Sequence, residues 1–112
     1  EIIDVFPTVL DVCGIAPSKR AQGTSLAPIL EGALDLSPPS QLSEIVHAGE
    51  RRMCIRTRAH KYAVRQGGVG YMLYDLAADP HEQNNLIGAD FALEAKMREL
   101  LFTRLVEAQW SM

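Results

Sequence analysis

Met53-Cys54-Ile55-Arg56-Thr57, Lys61-Tyr62-Ala63-Val64-Arg65 and Tyr71-Met72-Leu73-Tyr74-Asp75 follow one another across residues 53–75 of a 112-residue chain. Short runs like these, rich in β-branched and aromatic residues and separated by polar or glycine-rich stretches, read as strands and turns. A fourth run, Glu44-Ile45-Val46-His47-Ala48, precedes them. Connections of so few residues require antiparallel neighbours, because a parallel pair needs a crossover of about a dozen residues or more. Gly67, Gly68 and Gly70 mark one hairpin turn, where a Cβ would resist the positive φ angles. The expectation is a small four-stranded antiparallel sheet.

On the C-terminal side, residues 79–88 are turn-forming, with Asp79-Pro80 and Asn84-Asn85 as the clearest signals. The strongest helix follows. Asp90 can cap it, and Leu93, Met97, Leu100, Leu101, Leu105 and Ala108 recur at three- and four-residue spacing, whereas Glu94, Lys96, Arg98, Glu99, Arg104 and Glu107 lie largely elsewhere. That stripe should cover one face of the sheet, with Trp110 as a hydrophobic plug. On the N-terminal side, Ser37, Pro38, Pro39 and Ser40 place a loop or hinge over 33–43. Before it, Asp4, Pro7 and Gly14 bound an apolar helix that should be buried on more than one side. Thr24 or Ser25 should cap a second short helix over 26–30 that Gly32 ends. The fold class is therefore α+β: the sheet packed by a long C-terminal helix, preceded by one or two short helices. The division is 1–32 helical, 33–43 loop or hinge, and 44–112 sheet and helix.

The apolar fraction of 47% can supply the core of one domain. A net charge of −3 argues against a general nucleic-acid binder, which needs a dominant basic face. No apolar stretch approaches the roughly 20 residues of a membrane span, so no membrane partner is expected. Cys13 and Cys54 lie in apolar runs without a second cysteine or histidine at metal-ligand spacing, and read as buried small hydrophobes. The chain opens on Glu1 and not on Met, the mark expected of a fragment; the compartment is not readable.

Four segments, taken in order, resemble the C-terminal third of the sulfatase family within the alkaline-phosphatase-like superfamily. They are Asp4-Val5-Phe6-Pro7-Thr8-Val9-Leu10-Asp11-Val12-Cys13-Gly14-Ile15; Gly23-Thr24-Ser25-Leu26-Ala27-Pro28-Ile29-Leu30-Glu31-Gly32; Ile55-Arg56-Thr57-Arg58-Ala59-His60-Lys61-Tyr62; and Leu73-Tyr74-Asp75-Leu76-Ala77-Ala78-Asp79-Pro80-His81-Glu82-Gln83-Asn84-Asn85-Leu86, where Met72 replaces a usual glutamate. The resemblance implies that residues 1–32 belong to the edge of a catalytic domain, and that the rest is a structural subdomain whose partner is the remainder of that domain. It implies a parent that hydrolyses sulfuric esters with a formylglycine nucleophile and a divalent cation, calcium for instance, with no cofactor in this piece. Relatives with the same C-terminal pattern cleave phosphate or phosphonate esters, and a stand-alone binding or oligomerisation module is a third reading.

The chemistry itself is not expected in these residues. The nucleophile motif C/S-x-P-x-R has its nearest echo in Cys54-Ile55-Arg56-Thr57-Arg58, where arginine replaces the proline and a strand replaces the required helix start. Asp75, Asp79 and Glu82 read as turn residues, Asp4 and Asp11 as cap and surface groups, and His47, His60 and His81 form no triad. No catalytic or metal-ligating residue is assigned. One cluster stands out: between Arg51 and Arg65 the cations Arg52, Arg56, Arg58, His60 and Lys61 occur with no acid among them, either a solvated sheet edge or a hairpin that steers an anionic, sulfated substrate. The apolar first helix also predicts self-association of the isolated chain.

Overall fold

A computed structural model describes residues 1–16, 23–32 and 39–110. Residues 33–38 of the expected loop, and the side chain of Trp110, lie outside that description. Two compact units emerge, one within Glu1–Pro38 and Glu107–Met112, the other within Pro39–Val106.

The larger unit is the expected antiparallel meander: β1 (Gln41–His47), β2 (Glu50–Arg56), β3 (His60–Arg65) and β4 (Val69–Asp75), in the spatial order β1-β2-β3-β4. β1 starts at Gln41, inside the stretch expected to be loop, because Leu42 takes the core position opposite Ile55 although no β-branched residue announces it. Leu42, Ile55, Tyr62 and Leu73 stand in one cross-strand row, and the helix α3 (Phe91–Trp110) lays Met97 and Leu101 against the same core. Ile55, Tyr62 and Leu73 are completely buried. Each such side chain contributes about 1.5–3 kcal/mol relative to exposure, which makes this row the main support of the unit. Asp90 caps α3 as expected, its Oδ1 accepting the Leu93 amide at 3.0 Å.

The turns follow from backbone preference. Ala48 and Gly49 both have positive φ, 52° and 79°, as a two-residue primed turn between β1 and β2 requires. Gly67 and Gly68 have φ of 89° and 77° and form the expected turn between β3 and β4. Gly70 does not belong to it. It pairs with Val64 inside β4, and a bulge leaves Tyr71 as the extra residue before Met72 pairs with Ala63. Its missing Cβ makes room for a polar pair: an added Cβ would fall 2.7 Å from the Tyr62 hydroxyl and still closer to Glu94 Oε2. Tyr62 donates to Glu94 at 2.9 Å, so Glu94, read as lying largely outside the apolar stripe, reaches the sheet.

The turn after β4 closes the exposed edge of the sheet. Asn85 Oδ1 accepts the Leu73 and Ile87 amides, each at 3.1 Å, and its Nδ2 donates to the Tyr71 carbonyl at 2.8 Å. The Leu86 amide donates to the Leu73 carbonyl at 2.8 Å. These bonds occupy backbone groups that would otherwise template another strand.

In the smaller unit, α1 (Val5–Val12) ends in a Schellman arrangement at Gly14, φ 72°, where the Ile15 amide reaches the Leu10 carbonyl at 2.8 Å and the Gly14 amide the Asp11 carbonyl at 3.0 Å. Two expectations change here. Asp4 makes no capping bond to α1; its buried carboxylate accepts the Thr24 amide at 2.9 Å, tying the first segment to the second. The second helix, α2 (Ala27–Leu30), is preceded by Leu26, and Ser25 Oγ accepts the Ala27 amide at 3.1 Å. Gly23 is needed where it is, since a Cβ would run into the backbone of Ile3 and Asp4. Within this unit Val5, Phe6, Val9 and Val12 are each more than half exposed, the uncovered apolar surface from which self-association of the isolated chain is expected, whereas Cys13 is exposed, contrary to the burial expected of the thiol.

Candidate functional site

The β2–β3 hairpin carries the basic cluster, and strand alternation sorts it. Arg52, Arg56 and Lys61 project from the sheet face opposite α3, with Arg56 and Lys61 as cross-strand partners, while Arg58 lies in the connecting turn and His60 opens β3. Thr57 shapes that turn: its hydroxyl accepts the Ala59 and His60 amides at 3.3 and 3.0 Å, and its own amide donates to the His60 carbonyl at 2.9 Å.

The acids missing from the linear cluster arrive from elsewhere. Glu44 of β1 pairs with Arg51 at 2.9 Å, Glu50 with Arg52 at 3.2 Å, and Glu82 of the following turn with Lys61 at 2.8 Å. The contact with Glu50, and a weaker one with Tyr71, raise the Arg52 guanidinium above its usual pKa; the hydrogen bond to Glu82 does the same for Lys61. Arg56, Arg58 and Arg65 form no ion pair among the described residues, although the Arg65 guanidinium lies 5.1 Å from the Tyr71 ring centroid and Arg52 lies 5.2 Å from it. Among the described residues the unpaired positive charge of the hairpin is therefore carried by Arg56, Arg58 and Arg65.

Sequence reasoning overlooked Arg98. It comes from α3 and bonds the Gly68 carbonyl of the β3–β4 turn at 2.6 Å and Glu94 at 3.4 Å. No local signal announces this, since 30 residues separate Gly68 from Arg98.

Cys54, of the nucleophile echo, lies within β2, and burial pushes its thiol above the usual pKa, favouring the protonated form. The acidic residues of the turn are engaged with their neighbours: Asp75 Oδ1 accepts the Ala77 and Ala78 amides, Asp79 accepts those of Gln83 and Asn84, and Glu82 holds Lys61. Among the described residues no three His, Cys, Asp or Glu side chains gather as metal ligands, and no helix is long and apolar enough to cross a membrane.

Residues 1–110 match the family described as N-sulphoglucosamine sulphohydrolase, C-terminal. The chain belongs to this sulfatase C-terminal family. Bovine arylsulfatase K is 30% identical over 117 aligned residues, covering 90% of this chain and 22% of that protein. An N-acetylglucosamine-6-O-sulfatase of Bacteroides thetaiotaomicron is 31% identical over 111 residues, covering 88% of this chain and 19% of that one. The solved structure of a 2-O GAG sulfatase superimposes with a TM-score of 0.80 at 31% identity, over 95% of this chain and 24% of that chain. A solved structure of a protein in complex with its substrate D-glucosamine-2-N,6-O-disulfate matches with a TM-score of 0.71 at 29% identity, over 96% and 23% of the two chains. The sulfatase C-terminal domain thus spans about a fifth to a quarter of the relatives it matches. In those full sulfatases the corresponding part has the rest of the enzyme as its partner.

Proposed function

We propose that this sulfatase C-terminal domain supports a sulfate-ester hydrolase without performing the chemistry, and that its 1–32 segment completes the edge of the catalytic domain, with 33–43 as hinge and 44–112 as subdomain. The observation that carries this reading is α1. A helix with Val5, Phe6, Val9 and Val12 each more than half exposed would leave a continuous apolar surface in water, and the missing three-quarters of a sulfatase is the natural cover. A formylglycine nucleophile and a divalent cation, calcium in the simplest case, belong to that remainder. The names of the relatives favour a sulfated sugar as substrate. Phosphate or phosphonate ester hydrolysis is separated from this only by the nucleophile motif encoded upstream.

The test is direct. The purified 112-residue chain, supplied with calcium and 4-nitrophenyl sulfate, should show background turnover only. Chelator-sensitive hydrolysis by this chain would overturn the reading. The same chain should self-associate through α1, and Val9→Asp should return it to a monomer in sedimentation; a wild type that stays monomeric at high concentration would count for a stand-alone module.

The pairing pattern of the hairpin favours a second role. Arg56 and Arg58, with His60 beside them and Arg52 and Lys61 held by their acids, would draw a sulfated substrate toward the cleft. Neutralising Arg56 and Arg58 in the complete enzyme should flatten the salt dependence of kcat/KM, and an unchanged dependence would remove the steering role.

A further inference from the structure

We infer that the sheet face opposite α3 holds a sulfated polysaccharide at two points along β2 and β3; the choice of sulfate over other anions rests on the sulfate-ester reading above. Strand alternation puts Arg52, Cys54 and Arg56 of β2 on this face together with Lys61, Ala63 and Arg65 of β3. At one end the Arg52 and Arg65 guanidinium groups converge on Tyr71, 5.2 and 5.1 Å from its ring centroid. At the other end Arg56 and Lys61 are cross-strand partners. The distance along the strand from Arg52 to Arg56 is about 13 Å. Between the two ends Cys54 faces Ala63, and Ala63 is 1% exposed. The face is therefore a trough, with a floor of short side chains and cationic side chains at each end.

The charges on this face do not cancel. Glu50 pairs with Arg52 at 3.2 Å and Glu82 with Lys61 at 2.8 Å, which leaves one guanidinium without a carboxylate at each end, Arg65 and Arg56, among the described residues. The ring contact of Arg65 leaves its charge intact. The side chains of Arg52 and Glu50 are 39% and 37% exposed, so their pair is weak and exchanges readily for a ligand anion. A guanidinium presents parallel N–H donors to the oxygens of a sulfate group. A chain charged at every unit, such as single-stranded nucleic acid, would lay phosphates over Cys54 and Ala63, where no cation meets them. A sugar chain lays hydroxyls there, and Ser43, the cross-strand partner of Cys54, supplies a hydroxyl to bond them.

The test is titration of the 112-residue chain with a heparin octasaccharide, followed by amide NMR. Saturable shifts are expected at Arg52, Cys54, Arg56, Ala63 and Arg65. Glucosamine 6-sulfate reaches one end only, and a hyaluronan octasaccharide has the length without the sulfate; each should bind at least about fivefold more weakly. Arg56→Gln and Arg65→Gln should each weaken the heparin octasaccharide about fivefold, and each should lower the slope of log K against log salt by about one. Arg51→Gln removes the same charge from the α3 side, where Arg51 is paired with Glu44, and should leave the affinity unchanged. A loss on Arg51→Gln equal to that on Arg65→Gln, shifts confined to α1 or the β3–β4 turn, hyaluronan as tight as heparin, or tighter binding of an oligothymidylate would each overturn the inference. The comparison of the probes decides the matter even where a variant does not fold. Turnover is read separately, on the complete enzyme. Aryl sulfate hydrolysis with no octasaccharide bound to this face would sink the inference and leave the sulfatase reading standing, whereas octasaccharide binding beside hydrolysis of phosphate esters alone would support the inference and sink that reading.

Discussion

Replacing Gly70 by Ala should be destabilising for a reason that a second substitution can remove. A new Cβ would fall 2.7 Å from the Tyr62 hydroxyl and 3.1 Å from Tyr62 Cε1, and would displace Glu94 Oε2, while Tyr62 is completely buried. Glu94 sits at the end of a flexible side chain and can swing to solvent, but the hydroxyl then loses its 2.9 Å acceptor. A hydrogen bond to a charged group contributes about 1.5–3 kcal/mol. Gly→Ala at a negative φ returns about 0.4–1 kcal/mol through the unfolded chain, so the net cost of Gly70→Ala should be about 1–2 kcal/mol. In a Tyr62→Phe background both the hydroxyl and its bond are gone, and the same change should cost little. Urea unfolding of the four proteins, with equal m-values, gives the cycle; the coupling should be about 1 kcal/mol. A cost for Gly70→Ala that is the same in both backgrounds, within about 0.3 kcal/mol, would refute the reasoning. The hydroxyl also predicts a pH effect. Burial, and then the bond to Glu94, push Tyr62 up to about 12 from an ordinary 10.0, so its contribution is complete below pH 10 and is lost as the pH rises toward 12, a decline that Tyr62→Phe should not share.

Asn85→Ala removes three bonds at the edge of β4 and should cost about 2–3 kcal/mol, with faster hydrogen exchange at the Leu73 amide; unchanged exchange there would show that Leu86 alone holds the edge. The Gln83 and Asn84 amides hold the Asp79 carboxyl below its usual pKa, so this contribution is present above the unfolded value, about 3.9, and fades as the pH falls through the lower folded value. Exchange at Gln83 and Asn84, corrected for its intrinsic pH dependence, should lose protection below about pH 4 in the wild type, and Asp79→Asn should show weaker protection already at neutral pH. Ala48, at φ 52° in a primed turn, should be improved by Asn, with a gain of about 0.5–1 kcal/mol read from a higher urea midpoint at unchanged m-value, since Asn tolerates the left-handed region that costs other residues about 1–2 kcal/mol.

The local periodicities were enough to establish the sheet and the long helix. The β-branched and aromatic runs over 53–57 and 61–65 marked the strands that carry Ile55, Tyr62 and Val64, and the spacing of Leu93, Met97 and Leu101 predicted the stripe that meets them. Both patterns express which side of an element must leave water, and that is written in neighbouring residues. The turn at Gly67-Gly68, the cap at Asp90 and the strand position of Cys54 were legible for the same reason. What required the tertiary structure was every feature made by residues distant along the chain: Glu44 and Glu82 answering the basic hairpin, Arg98 reaching the Gly68 carbonyl, Asn85 closing the β4 edge, and Gly70 yielding its space to Tyr62 and Glu94. Composition says that such partners exist; only the register of the strands and the rotation of α3 decide which charge faces which, because an ion pair or a hydrogen bond depends on a few ångströms that a one-dimensional pattern does not hold.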